Sequence, residues 1–279
     1  MKQFKALLIK EWQTHWKTLL LPAWFLLAVY AFNLVIFIYS YFKFGSELNV
    51  FISARHAQID ELIWGLYFGS SIILGFLASL AALILADGVI NQDAVKKCEI
   101  FHYSLPVSLQ KILLSKLAFV TVGSFLIFVV LAALNSLVMS AFLAIFGFAD
   151  LSLALNGLLN SIPYTIIFLL FFPAVYGFFA SIFRKNAFGG MIGTFVMIDL
   201  MIYFSDLWIN TGSFSVYRYF IEVLGAPLRT ATLLLSGQYS RLDLYAWQDL
   251  SSKDSLIRFG ISAILIVATY FIIKRRELR

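Results

Sequence analysis

Three histidines, one cysteine and 15 carboxylates are the side chains in this 279-residue chain that could support acid–base, nucleophilic or metal chemistry. His15, His56 and His102 lie in three different regions, and none has the i, i+4 partner that would set two imidazoles on one helix face for zinc. Asp87-Gly88 could open a magnesium site, but the later aspartates at helical spacing that would complete it are missing. Cys98 stands alone, which excludes an intrachain disulfide and a multi-cysteine metal centre. The Gly-rich phosphate loop with its Lys and Ser/Thr is absent, so the chain by itself should not bind or hydrolyse ATP. The expectation is a protein with no catalytic residues, no metal site and no cofactor of its own.

Asp199 is the one clearly ionisable side chain placed deep in an apolar run. A charge at that depth of a bilayer costs about 2.5–3.5 kcal/mol on insertion scales, so it should face the interior of a helix bundle. One role for it is a proton or substrate-cation site. The other is a hydrogen-bonded acid that ties helices together, with Asn33, Asn135 or Tyr203 as partners. A proton relay needs more than one titratable group, and the sequence shows no second one near it.

The elements that must position these residues are membrane spans. Hydrophobic residues make up 61% of the chain and charged residues 13%, against roughly 45–50% and about 25% in soluble domains. Six stretches reach the roughly 20 apolar residues that cross a bilayer: 18–41, 62–86, 117–146, 161–183, 188–208 and 256–273. With the N-terminus placed in the cytoplasm, 14 of the 21 basic residues fall on inside segments, as the positive-inside rule requires. The net charge of +6 therefore reports topology, with no basic patch for nucleic acid. The expected fold is all-α, a single polytopic transmembrane domain over 1–279 with both termini cytoplasmic, in a bacterial cell (inner) membrane.

Four regions lie outside these runs. Residues 1–17 should form an interfacial helix, with Phe4, Leu7, Leu8, Trp12 and Trp16 on one arc and Lys2, Lys10 and Lys17 away from it. Lys5 and Glu11 intrude on that arc, and a plain cytoplasmic extension of the first span is the simpler alternative. Residues 42–61 make a modest outside loop, and 209–255 the largest outside segment, with two short helices expected at the outer surface within 216–235. Gly189, Gly190 and Gly193 should allow close helix packing. Trp24, Tyr41, Trp64 and Trp208 fit interfacial anchors.

The largest cytoplasmic loop, 87–116, is the most informative. Glu99 is followed by Phe101 and Tyr103 around His102, then by Leu105-Pro106-Val107-Ser108, and then by a basic amphipathic helix that enters the third span. Pro106 suits the first turn of that helix, where its missing amide hydrogen costs nothing. Lys111 and Lys116 have the reach to snorkel to the headgroups.

Here the chain resembles the type-2 permeases of ATP-binding-cassette (ABC) transporters. The match is carried by Glu99, Leu105, Pro106, Val107, Ser108 and Lys116 in order, with the N-terminal helix, the six spans, the long segment before the last span and the basic tail Lys274-Arg275-Arg276. Lys96-Lys97-Cys98 before the acid departs from many relatives. The resemblance implies a permease subunit of an exporter, forming the pathway as a homo- or heterodimer beside membrane lipid. It also implies that Glu99, Phe101, Tyr103, Leu105, Pro106, Val107 and Ser108 contact a separate ATPase subunit, which would hold ATP and Mg. A complex doing mechanical or assembly work and a proton-coupled secondary transporter using Asp199 are the alternatives. A lipid-modifying enzyme is disfavoured by the missing catalytic constellation.

Overall fold

The computed structural model describes residues 2–32, 35, 39, 59–95, 108–145, 150–183, 186–209, 215–216, 219, 222 and 246–277. Regular structure among them is entirely helical. Helix α1 covers Lys2–Leu19, and Leu20 separates it from α2, residues 21–32. Pro22 explains the interruption, because it has no amide hydrogen to extend the helical ladder. Leu20 still bonds the Trp16 carbonyl at 3.0 Å, whereas Ala23 bonds only three residues back, to Leu20 at 2.9 Å. The first span is thus a continuation of the N-terminal helix across one interrupted turn.

Helix α3 is Ile59–Val95. Helix α4 joins Leu109–Ala118, a π-helical turn at Phe119–Gly123, and Ser124–Ile145. Helix α5 is Leu151–Phe183, α6 is Ala187–Ile209, α7 is the single turn Ala246–Asp249 and α8 is Lys253–Glu277. Five helical stretches are long and apolar enough to cross a membrane: Gln3–Phe32, Ile63–Asn91, Leu109–Ala144, Leu151–Phe183 and Lys253–Arg275. A shorter apolar stretch occupies Ala187–Tyr203 of α6. The protein is a polytopic helical membrane protein.

Side-chain pairings fix direction and register. Trp64 meets Asn156, Gly75 meets Thr165 and Ile90 meets Gly177, so α3 and α5 run parallel. Tyr67 with Ser140, and Ser70 with Asn135, set α4 antiparallel to α3. Gln3 and Tyr270 both reach the start of α4, through Lys111 and Gln110. The beginning of α1 and the end of α8 therefore lie at the same end of the bundle as the end of α3.

The α3–α5 pair is the most extensive helix contact. Two glycines make it possible. A Cβ on Gly157 would sit 3.0 Å from the Phe68 backbone nitrogen and 3.0 Å from Tyr67 Cβ, and one on Gly75 would collide with the Thr165 hydroxyl. Lipid is as apolar as a leucine side chain, so close backbone approach of this kind, more than hydrophobicity, holds helices together in a bilayer. Pro163 and Pro173 lie inside α5 and are both buried, where neighbouring helices keep the freed carbonyls from lipid. A second layer of packing is aromatic. Phe168, Phe171, Phe172 and Phe179 of α5 meet Leu85 and Val89 of α3, Phe119 and Val120 of α4, and Met191 and Phe195 of α6.

Several anchor and packing expectations change here. Trp64 is no interfacial anchor: it is 1% exposed, stacks on Phe68 with ring centroids 5.1 Å apart, and donates its indole N–H to Asn156. Trp24, by contrast, is exposed. Among the three glycines of α6, Gly190 alone is closely packed, against the Phe183 ring; Gly189 and Gly193 face open space.

Candidate functional site

The end of the bundle that carries 96–107 is built by three helices. Helix α3 delivers the chain into that segment and α4 takes it out, while α1 packs against both. Glu99, Phe101, Tyr103, Leu105, Pro106 and Val107 lie outside the described residues. Ser108 is described: it is exposed and extended, with φ −65° and ψ 141°, and it occupies the N-cap position of α4. Its carbonyl accepts from the Lys111 and Ile112 amides at 2.9 and 3.2 Å, while its hydroxyl makes no cap bond. The helix begins at Leu109, so its first turn does not contain Pro106.

Lys116 overturns the snorkelling expectation. It is buried and donates its ammonium to the Val89 carbonyl of α3. Its neighbours on that part of α4, Ile112, Leu113, Ser115, Phe119 and Val120, are buried as well, so the bundle covers the helix where the lysine leaves it. A π-helical turn follows at Phe119–Gly123. Lys111, one turn earlier, is exposed and donates to Gln3 at 3.3 Å.

Helix α1 presents a buried stripe at four-residue steps: Leu7, Glu11, His15 and Leu19. The apolar arc expected for this helix is split. Leu7 and Leu8 turn toward the bundle, and Trp12 and Trp16 are exposed. Glu11, read as an intrusion, belongs to the packed face, with its carboxylate 3.7 Å from the His15 ring. The imidazole abuts Gly88 of α3, where an added Cβ would lie 3.2 Å from Cε1 and 3.4 Å from Nδ1. One residue earlier, Asp87 accepts from Asn91 at 2.8 Å and meets Tyr176 of α5. The Glu11–His15 pair of α1 thus packs on α3 at Gly88, between Asp87, which meets Tyr176 of α5, and Val89, whose carbonyl accepts from Lys116 of α4. Sequence reading missed this group because its members are scattered from residue 11 to 176. The only available signals were Glu11 on an apolar arc and the Asp87-Gly88 pair.

Asp199 lies partly buried on α6 and is held from the segment that follows that helix. Ser215 Oγ donates to one carboxylate oxygen at 2.8 Å and the Val216 amide to the other at 2.6 Å. Val216, Tyr219 and Glu222 are themselves helical, and the Tyr219 amide bonds the Ser215 carbonyl at 3.0 Å. Val216 and Tyr219 pack on the main core, and Tyr219 receives a long hydrogen bond from Arg258 of α8 at 3.5 Å. Asn135, one of the partners expected for Asp199, is instead shared between Tyr30 of α2, at 2.6 Å, and Ser70 of α3, at 2.9 Å. Asn33 lies outside the described residues.

At the opposite end of the bundle, Tyr164 of α5 donates to Asp249 of α7 at 2.8 Å. No group of three or more His, Cys, Asp and Glu side chains that could hold a metal ion occurs among the described residues. No family model matches the chain, and no curated protein or solved structure is significantly similar to it.

Proposed function

We propose that the chain is the transmembrane permease subunit of an ABC transporter of the exporter type, working as a dimer and driven by a separate ATPase that holds ATP and Mg. The observation that carries this reading is the ordered set Glu99, Leu105, Pro106, Val107, Ser108 and Lys116 between the second and third apolar runs. Its surroundings agree with a role in passing force. Long helices lead into and out of that segment, and α1 is fastened against both. A partner that pushes on 99–108 would move rigid levers, and ATP acts only through contacts that differ between two states.

The same reading takes six spans with both termini in the cytoplasm of a bacterial cell. Helices α5 and α8 both end at the α1 end of the bundle, which supports taking the apolar helix α6 as the crossing between them. Single cysteines at Ser46 and Arg279, in a Cys98→Ser background, should react with an impermeant thiol reagent from opposite faces of intact cells and inverted vesicles.

Purification together with the ATPase encoded beside this chain is the direct test. The two should isolate as one complex, and alanine substitutions at Glu99, Leu105 and Pro106 should release the ATPase or cut its stimulated turnover. Substrate movement by the chain alone, unaffected by those substitutions, would sink the proposal.

A further inference from the structure

Most buried serines of these helices satisfy themselves. Ser79, Ser115, Ser161, Ser181 and Ser262 each donate to a carbonyl three or four residues back on their own helix. That is the local solution open to a hydroxyl in hydrocarbon, where solvent is not at hand. Ser71 of α3 and Ser136 of α4 depart from it, as does Ser124 farther along α4. Ser71 and Ser136 are 0% and 6% exposed, and neither hydroxyl has a hydrogen-bond partner among the described residues. A buried polar group left in that condition is destabilising.

Helix register brings the two together. Helices α3 and α4 pair Tyr67 with Ser140 and Ser70 with Asn135, which sets Ser71 level with Ser136. Helices α3 and α5 pair Phe68 with Gly157 and Gly75 with Thr165, which sets Ser71 level with Ser161 as well. Ser161 is 0% exposed, and its hydroxyl gives its hydrogen to the Leu158 carbonyl at 2.7 Å, so its oxygen can still accept. Three buried serines, one from each helix, thus share one level.

Side-chain size leaves room between them. At the neighbouring levels of α3 and α4 a large side chain opposes a small one: Tyr67 with Ser140, Leu74 with Ala132, and Phe128 with Ala78. These pairs set the spacing of the two helices. At the serine level two small side chains oppose each other and the third helix adds another. Along the helix axes, Thr165 against Gly75 closes the level on one side, and Tyr67 and Phe68 against Gly157 close it on the other.

We infer that Ser71, Ser136 and Ser161 bind a water molecule at the junction of α3, α4 and α5. The water accepts from the Ser71 and Ser136 hydroxyls and donates to the Ser161 oxygen, three hydrogen bonds being the usual number for a buried water. It links three helices that otherwise meet at this level through small side chains. The inference stands on packing and holds whether or not an ATPase partners the chain.

The test is a double-substitution cycle on thermal unfolding of the full-length protein in detergent. Ser71→Ala and Ser136→Ala should each lower the midpoint by about 2–4 °C, the shift expected for one lost hydrogen bond in a chain of this size. The double variant should fall hardly further than the lower single one, because both hydroxyls serve the same water. A raised midpoint in the single variants overturns the inference, since it would mean that each hydroxyl is simply unpaired. So does a change no larger than that of Ser79→Ala, whose hydroxyl bonds its own helix. Additive losses overturn it too, because they exclude a shared partner. Should unfolding prove irreversible, a structure that resolves waters decides: density within hydrogen-bond reach of all three serine oxygens supports the site, and protein atoms filling that space overturn it.

Discussion

The α3–α5 seam and the seat of α1 are both stripes of buried side chains, but different forces close them. In the seam, Gly75 and Gly157 bring two backbones together, and Trp64, Tyr67 and Phe68 fill the remaining space in fixed orientations. In the seat, a carboxylate and an imidazole are set among aliphatic side chains, with the imidazole against Gly88 of α3. The seam is specified by shape, which has no inexpensive alternative once formed. The seat is specified in part by charge, which water and headgroups can also satisfy. The centre of the molecule is therefore closed mainly by shape, and the helix nearest the segment proposed to meet a partner by a mixture of shape and polarity.

The largest effect should come from the seam. Gly157→Leu forces a side chain into the Phe68 backbone and should cost about 3 kcal/mol or more, the upper range of overpacking. Thermal unfolding in detergent should show a lowered midpoint or no folded protein. Gly193→Leu makes the same change on a glycine that faces open space, and its midpoint should stay within error of the parent. If the two variants lost stability equally, the assignment of close packing to α3–α5 would be wrong.

Polar fastenings away from the seam should rank below it. Tyr164→Phe removes the bond to Asp249 and should cost about 1 kcal/mol, the usual net value of a hydrogen bond. Asp199→Leu should cost more than Asp199→Asn, since the amide keeps an oxygen for the Val216 amide hydrogen. Asp199→Asn also separates two functions: transport survives if the acid is a cap, and is lost if the acid carries a proton. Tyr30→Phe breaks the bond that ties α2 to Asn135, and about 0.6 kcal/mol is expected, the average for such bonds between membrane helices. A larger loss from Tyr30→Phe would mean that α2 belongs with the seam and not with the edge of the bundle.

The apolar runs were legible because a bilayer imposes length and composition on any helix that crosses it. Their placement along the chain agrees with the helices described here, though α4 and α5 begin eight and ten residues before the apolar runs at 117 and 161 do. Polar residues can extend a helix beyond the hydrocarbon, so hydropathy marks the span and misses the helix end. The site was less legible. Lys116 was read by its charge as a headgroup contact, whereas it is buried and bonds the Val89 carbonyl of α3. Trp64 was read by residue type as an anchor, whereas Phe68 and Asn156 hold it in the core.

Composition and charge spacing by themselves determined that this is a multi-pass helical membrane protein, because lipid leaves few other solutions for so apolar a chain. They also singled out Asp199 and the segment after the second run. Tertiary structure alone decided which ionisable groups meet. His15 of α1 meets Gly88 of α3, and Lys116 of α4 bonds the Val89 carbonyl one residue on. Both contacts depend on helical phase, and phase over many turns depends on which neighbouring helix a residue has to fit.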